Sequence, residues 1–346
     1  YKFAEENPDS FHATSSFDIE TGKSIKVKEK DYSQVFGEKL VELAEKNEKI
    51  VAVTAAMADG TGLKEFKKKY PKRFFDVGIA EQHALCMAAG MAKEGFIPVV
   101  PIYSSFYQRA FDQVIHDVCM QNLPVVMCVD RAGLVGQDGE THQGIFDLSF
   151  FNLIPNITIM APKDFEELEE MMDFAVSLNS PVVIRYPRGG EANEKFITHS
   201  MIQYKKSDIL TLGKDVTIVA IGNQVSKAMN IQRKLKEVNI YAEVINARFL
   251  KPFDKYAVLK SIAKTRFVIT LEDNTLVGGL ATEVKELIAE KHLNNIRMRN
   301  FGYPDVFVEH GTPKELEEIY NLDVKCGFEY VRNSVKYKSK SYANVK

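Results

Sequence analysis

No stretch of the 346 residues approaches the roughly 18 to 20 consecutive apolar positions that a bilayer crossing needs, and no signal-peptide pattern is present. Net charge is nearly absent. With 45 Lys and Arg against 47 Asp and Glu, the −2 balance at pH 7 draws the chain toward neither nucleic acid nor an anionic membrane. Cysteine is scarce. Cys86, Cys119, Cys128 and Cys326 show no paired spacing, and three of them lie in apolar segments that read as core. This excludes a disulfide framework and a zinc site and implies a reducing, cytoplasmic setting. Position 1 lacks methionine and holds Tyr1, so the expectation is a processed or truncated piece of something longer.

What is present suits a globular chain with room for two domains: 45% hydrophobic and 27% charged residues. A helix start at Asp31, with Gln34 three positions on, leads into Val35, Leu40, Leu43 and Ala44 at helical spacing. Strand-like runs over 49–56, 96–103, 124–130, 157–162 and 181–186 then alternate with helical stretches. After Gly189-Gly190 a polar stretch runs to Asp208. A second alternating block follows, with strands expected over 216–222, 241–247 and 267–272. The fold class is therefore α/β, as two open, mainly parallel sheets. The expected organisation is a linker over 1–30, a first unit over 31–195, a second over 206–325 and a tail over 326–346. That tail is expected to be mobile from Val331 on. Functional loops belong at the carboxyl ends of the strands.

One stretch concentrates chemistry. An apolar, β-prone run over 74–79 delivers Glu81 into Cys-Met-Ala-Ala-Gly-Met-Ala (86–92), small and apolar enough for a packed helix. A carboxyl group desolvated at such a junction can share or donate a proton, although position alone is explained as well by a first-turn acid that the macrodipole favours. Phe106 precedes a helix as a core aromatic would. Arg109 and Arg188 have forks that match phosphate oxygens, yet solvation is the usual fate of an arginine. The loop over 130–144 holds Arg131, Asp138, His142 and four glycines, which permit close backbone approach. His142 is a candidate proton donor there, against the alternative of surface polarity. His83 and His116 read as packing histidines, because no further ligand is spaced for a metal. The glycine-rich turn after Glu272-Asp273-Asn274 invites an anion site, but a tight turn accounts for it.

Asp-Val-Gly-Ile-Ala-Glu-Gln-His (76–83) resembles the signature of the pyrimidine-binding domain of thiamine diphosphate enzymes. Four further motifs follow in order: Tyr-Ser-Ser-Phe-Tyr-Gln-Arg-Ala-Phe-Asp-Gln (103–113), Asp-Arg-Ala-Gly-Leu-Val-Gly (130–136), Asp-Gly-Glu-Thr-His-Gln-Gly (138–144) and Arg-Tyr-Pro-Arg-Gly (185–189). Together they resemble the 1-deoxy-D-xylulose-5-phosphate synthase family over residues 1 to 323. The resemblance implies a transketolase-type fold, with a thiamine pyrimidine-binding domain followed by a transketolase carboxy-terminal domain. It implies Glu81 as the acid on the aminopyrimidine and Phe106 as the aromatic packed on that ring. Arg109 and Arg188 would hold a substrate phosphate, and His142 would move a proton, positioned by Asp138 and Tyr103 with Arg131 close by. Tyr1, Ala4, Glu5, Pro8, Phe11 and His12 fit the family's linker motif, which puts Tyr1 near the cofactor.

The same resemblance implies thiamine diphosphate and Mg²⁺ as cofactors, pyruvate and D-glyceraldehyde 3-phosphate as substrates, and a homodimer. In this superfamily a Gly-Asp-Gly motif holds the diphosphate and its magnesium. The sequence has none; Ala58-Asp59-Gly60 and Gln137-Asp138-Gly139 are its nearest approaches. The expectation is thus the two later domains of a synthase without its amino-terminal, magnesium-binding domain, inactive alone. The alternatives are the pyrimidine-domain subunit of a split transketolase-like enzyme and a non-catalytic dimerisation module.

Overall fold

A computed structural model describes residues 1–6, 11, 16–25, 29–192 and 200–343. Pro8 and His12 of the linker motif, and 344–346 of the tail, lie outside the described residues. The first half supplies β1 (Ile50–Thr54), β2 (Phe74–Asp76), β3 (Ile97–Tyr103), β4 (Val126–Asp130), β5 (Thr158–Met160) and β6 (Val182–Arg185). The second half supplies β7 (Asp208–Thr211), β8 (Val216–Ala220), β9 (Ala242–Asn246), β10 (Phe249–Lys251), β11 (Phe267–Thr275) and β12 (Arg297–Tyr303). One sheet has the order β10-β5-β6-β4-β3-β1-β2 and the other β12-β11-β8-β9-β7. All pairs are parallel except β10 on β5 and β7 on β9. The expected two mainly parallel α/β sheets are therefore the fold.

The sequence builds this because β1, β4, β6, β8 and β9 are buried at every position. Continuous apolar runs can be satisfied only by cover on both faces. Helix Tyr32–Lys46 starts where the Asp31 carboxylate accepts the Gln34 amide at 2.8 Å, and it packs Val35, Phe36, Leu40 and Leu43 on one face of the first sheet. Helix Glu81–Lys93 packs Ala84, Leu85 and Ala88 on the other.

The two sheets share more than a linker. β10 leaves the second domain and becomes the seventh strand of the first sheet. Just before it, fully buried Arg248 donates through Nε to Glu167 Oε1 at 2.6 Å, and its Nη2 reaches the Ser200 carbonyl at 2.7 Å and Asp208 at 3.3 Å. Glu167 belongs to helix Phe165–Ser177 of the first domain. One apolar cluster runs through Val100, Val129 and Ile159 into Val219, Ile221 and Val268.

As far as Val335 the expectation of a mobile tail is corrected. Helix Val324–Ala343 continues through that region, and Val324, Phe328, Val331 and Val335 recur at helical spacing against the second sheet's core. A Cβ on Gly327 would lie 2.5 Å from Ile231 Cδ1, so glycine sets how closely this helix approaches. The apolar period begins at Val324, ahead of where the tail was counted.

Removing one member of a buried ion pair leaves the other uncompensated. Arg248→Met is expected to lower the unfolding free energy by about 3 kcal/mol in denaturant titration; a loss under about 1 kcal/mol would show that the Glu167 contact does not hold the domains together.

Candidate active site

The loops that follow β1, β2, β3, β4 and β6 carry the candidate residues, as a parallel sheet requires. Glu81 opens its helix after β2, Tyr103 ends β3, Phe106 and Arg109 follow it, Arg131 follows β4, and Arg188 follows β6.

Glu81 is buried at 3% exposure. Arg109 Nη1 stands 2.9 Å from its Oε2, half in solvent, yet the approach does not make a hydrogen bond and Oε2 is left without a donor. Arg109 therefore faces the carboxylate of Glu81. Arg188, its expected phosphate partner, lies elsewhere and donates through Nη1 to the Val135 carbonyl at 3.1 Å and to Asp138 at 2.7 Å. The structure does not give Arg109 and Arg188 a common partner.

Arg188 instead shares a cavity with Arg131. The cavity measures about 460 Å³ and is lined by Asp31, Ser33, Asp59, Gly60, Arg131 and Arg188 among others. Arg131, in the left-handed region at φ 58°, donates through Nη1 to Asp130, to the Gly60 carbonyl and to Ser33 Oγ at 2.8, 2.9 and 3.1 Å. Its guanidinium lies 4.0 Å over the Tyr103 ring. Tyr103 stacks on Phe106, whose ring meets the edge of His142 at 5.3 Å. Burial pushes the Tyr103 phenol up to about 12, with the Arg131 charge opposing, so the ring stays neutral. Burial also raises the Asp130 carboxyl above its usual range against the pull of Arg131.

Three residues of this assembly were not among the expected site residues. Ser33 sits on the first turn of a helix and binds Asp130 at 2.7 Å. Asp130 is a fully buried strand end. Gly60 is required because a Cβ there would lie 2.3 Å from the Tyr103 hydroxyl.

Other expectations change. Asp138 pairs with Arg188 and not with His142, whose Nδ1 meets Thr141 Oγ1 at 2.9 Å. Tyr1 is exposed, and its ring contacts are Phe3 and Phe17. His83 and His116 are exposed rather than packed, and Cys86 is exposed where a core position was expected. Their helices are apolar on the buried side only. Among the described residues no group of three His, Cys, Asp or Glu could hold a metal ion, and no helix is long and apolar enough to cross a membrane. The glycine-rich turn of the second domain is already filled by a carboxyl group of its own. Glu272 accepts the amides of Leu280 and Ala281 at 2.7 and 2.8 Å, and a Cβ on Gly279 would lie 2.0 Å from Glu272 Oε2.

Two family models match the chain, described as transketolase, pyrimidine binding domain, over residues 28–190 and transketolase, C-terminal domain, over residues 205–325. A solved split gene transketolase, titled an inactive beta4 tetramer, is 31% identical with TM-score 0.80, covering 88% of this chain and 98% of its own. The chain belongs to the transketolase family. Among curated transketolase-family relatives, the 1-deoxy-D-xylulose-5-phosphate synthases of Clostridium tetani and Halothermothrix orenii are 51% and 52% identical over 93% of this chain. The chain spans about half of their length, 52% and 51%. The transketolase of Campylobacter jejuni shares the fold at TM-score 0.74 and 18% identity.

Burial pushes the Glu272 carboxyl up to about 8 despite its two amide donors. A pKa raised in the folded state gives stability that is complete below the unfolded value and lost as pH rises toward 8. Unfolding free energy measured from pH 5 to pH 8 is expected to fall more steeply in the parent than in Glu272→Gln, by at most about 1.4 kcal/mol per pH unit. Parallel curves would show that Glu272 is ionised throughout.

Proposed function

We propose that this chain forms the pyrimidine-binding and acceptor-binding part of a 1-deoxy-D-xylulose-5-phosphate synthase. That enzyme condenses pyruvate with D-glyceraldehyde 3-phosphate and releases CO2, supplying isoprenoid, thiamine and pyridoxal routes. The observation that carries this reading is the buried Glu81 carboxylate, whose Oε2 has the Arg109 charge 2.9 Å away but no aligned hydrogen-bond donor among the described residues. A buried polar atom left open costs free energy unless a ligand completes it. An aminopyrimidine ring offers the complement, so the residues fit the pyrimidine end of thiamine diphosphate. They do not fit its diphosphate and Mg²⁺, because the Gly-Asp-Gly clamp is absent from the sequence. That end belongs to an amino-terminal domain outside this sequence.

When bound, thiamine diphosphate supplies the carbon nucleophile. The chain's own residues do the rest. Glu81 holds a proton at the ring nitrogen it faces, and Phe106 presents its ring to the pyrimidine. Arg131 and Arg188 take the acceptor's phosphate: among the described residues each spends only Nη1 on the protein, so the remaining donors of both forks are available to an anion. This replaces the pairing of Arg109 with Arg188. His142, steadied by Thr141 and the Phe106 ring, is placed to pass a proton to the acceptor's oxygen. Asp138 and Tyr103 hold the two arginines.

A second reading has its own support: the split gene transketolase is matched over 98% of its chain, so a polypeptide of this extent occurs as a separate subunit. The inactive tetramer of its title also favours a chain that does not turn over alone. Four free cysteines suit the cytoplasm. Homodimer formation is supported by the split gene transketolase, whose title names an assembly of several copies. Size-exclusion with light scattering is expected to give a dimer, and a monomer mass would overturn that assignment.

Mixing with a separately produced polypeptide that carries the Gly-Asp-Gly clamp tests the main reading. Turnover that needs pyruvate, thiamine diphosphate and Mg²⁺ is expected, with Glu81→Gln slower by about 10²-fold or more. Turnover on ketose phosphates without pyruvate selects the split transketolase. No turnover with several such partners would favour the dimerisation module.

A further inference from the structure

We propose that Asp273, a carboxylate of the second domain, is a positioning residue that acts through Arg185 and Gly133 to fix the segment over 131–144. Arg185 ends β6, three residues before Arg188, and is 3% exposed. Its Nη1 donates to Asp273 Oδ1 at 2.6 Å, and its Nε donates to both oxygens of Asp147 at 3.0 and 3.2 Å. Its Nη2 is buried with no hydrogen bond among the described residues, so loss of Asp273 would leave this cation with Asp147 as its one hydrogen-bonded carboxylate among them. Asp147 in turn accepts from Ser104 Oγ at 3.1 Å, between Tyr103 and the Phe106 ring. One ion cluster thereby touches the segments after β3, β4 and β6.

Asp273 also bears directly on the loop. A Cβ on Gly133 would lie 2.2 Å from its Oδ2, so the backbone rests against the carboxylate. Gly133 and Gly144 exchange amide-to-carbonyl bonds at 2.7 Å, closing the segment that contains Asp138 and His142. The second domain ties this segment at three more places. The Thr275 amide donates to the Ile145 carbonyl at 2.8 Å, Gln143 Nε2 donates to the Glu309 carbonyl at 3.0 Å, and the Gly311 amide donates to the Gly136 carbonyl at 3.5 Å. Loops so rich in glycine do not keep their own shape. The shape here comes from the end of β11 and from the segment that follows β12.

The test uses the chain as it stands, with backbone amide exchange and with inorganic phosphate as probe for the Arg131 and Arg188 cavity. Only the phosphate measurement rests on the function proposed above. Asp273→Asn is expected to speed exchange at the Gly133 and Gly144 amides about tenfold and to weaken phosphate binding about fivefold. Thr217→Val, which breaks a buried hydroxyl cluster with Ser261 and Thr265 in the same domain, is the control for stability alone and should change neither. Unchanged exchange at Gly133 and Gly144 in Asp273→Asn, or the same increase in Thr217→Val, overturns the proposal. If the parent chain does not bind phosphate, the phosphate reading falls while the exchange result still decides the positioning role. Should Asp273→Asn fail to fold, Gln143→Met replaces it. Faster exchange at His142 and Gly144, whose amides the Gln143 side chain does not bind, supports the second domain's hold on the loop, and no change removes it.

Discussion

A guanidinium that has left water must find its counter-charges inside the protein, and Arg185 finds one carboxylate in each domain. Desolvating such ions costs several kcal/mol each and is repaid only when geometry is good on every side. The ends of β6 and β11 are therefore not free to settle independently. Everything that leaves the carboxyl edge of the first sheet near them, from Ser104 to Arg188, inherits that constraint. The buried contact of Arg248 with Glu167 does the same at another point of the domain junction. Burial raises the Asp147 carboxyl above its usual range, against the pull of Arg185, so this ion cluster is finely balanced.

The candidate site shows the complementary arrangement. Arg131 and Arg188 are each steadied by a carboxylate on a single nitrogen, Asp130 in one case and Asp138 in the other. A neutral Tyr103 ring underlies one of them. Cations fixed in this way cost little reorganisation when a charged group approaches them.

Much of this was legible in the sequence, for physical reasons that also mark where legibility stopped. Strands covered on both faces are mostly apolar, with polar residues chiefly at their carboxyl ends, so β1, β3, β4, β6, β8 and β9 announce themselves. Edge strands need not be. β12 alternates exposed and part-buried residues over its first half, and β10 has three residues whose partner lies in another domain. Glu81, Phe106 and His142 stood out through their surroundings. Which arginine faces which carboxylate did not, because Arg109, Arg131 and Arg188 follow different strands, whose relative placement depends on the sheet order. Gly60 and Ser33 matter through close approach, which a one-dimensional pattern does not encode. The closing helix was hidden because its apolar period starts at Val324, before the run of lysine and serine.

The seventh strand of the first sheet has a consequence for how the molecule can come apart. Since β10 is hydrogen-bonded into the neighbouring domain, the covalent connection over 190–207 is not what joins the halves. A nick there would leave two pieces bound to one another as tightly as interlocked parts. A second-domain polypeptide made by itself would carry an unpaired strand, a buried arginine without its glutamate and Asp273 without Arg185. Such a piece is a seeker of edges, prone to pair with any open sheet it meets.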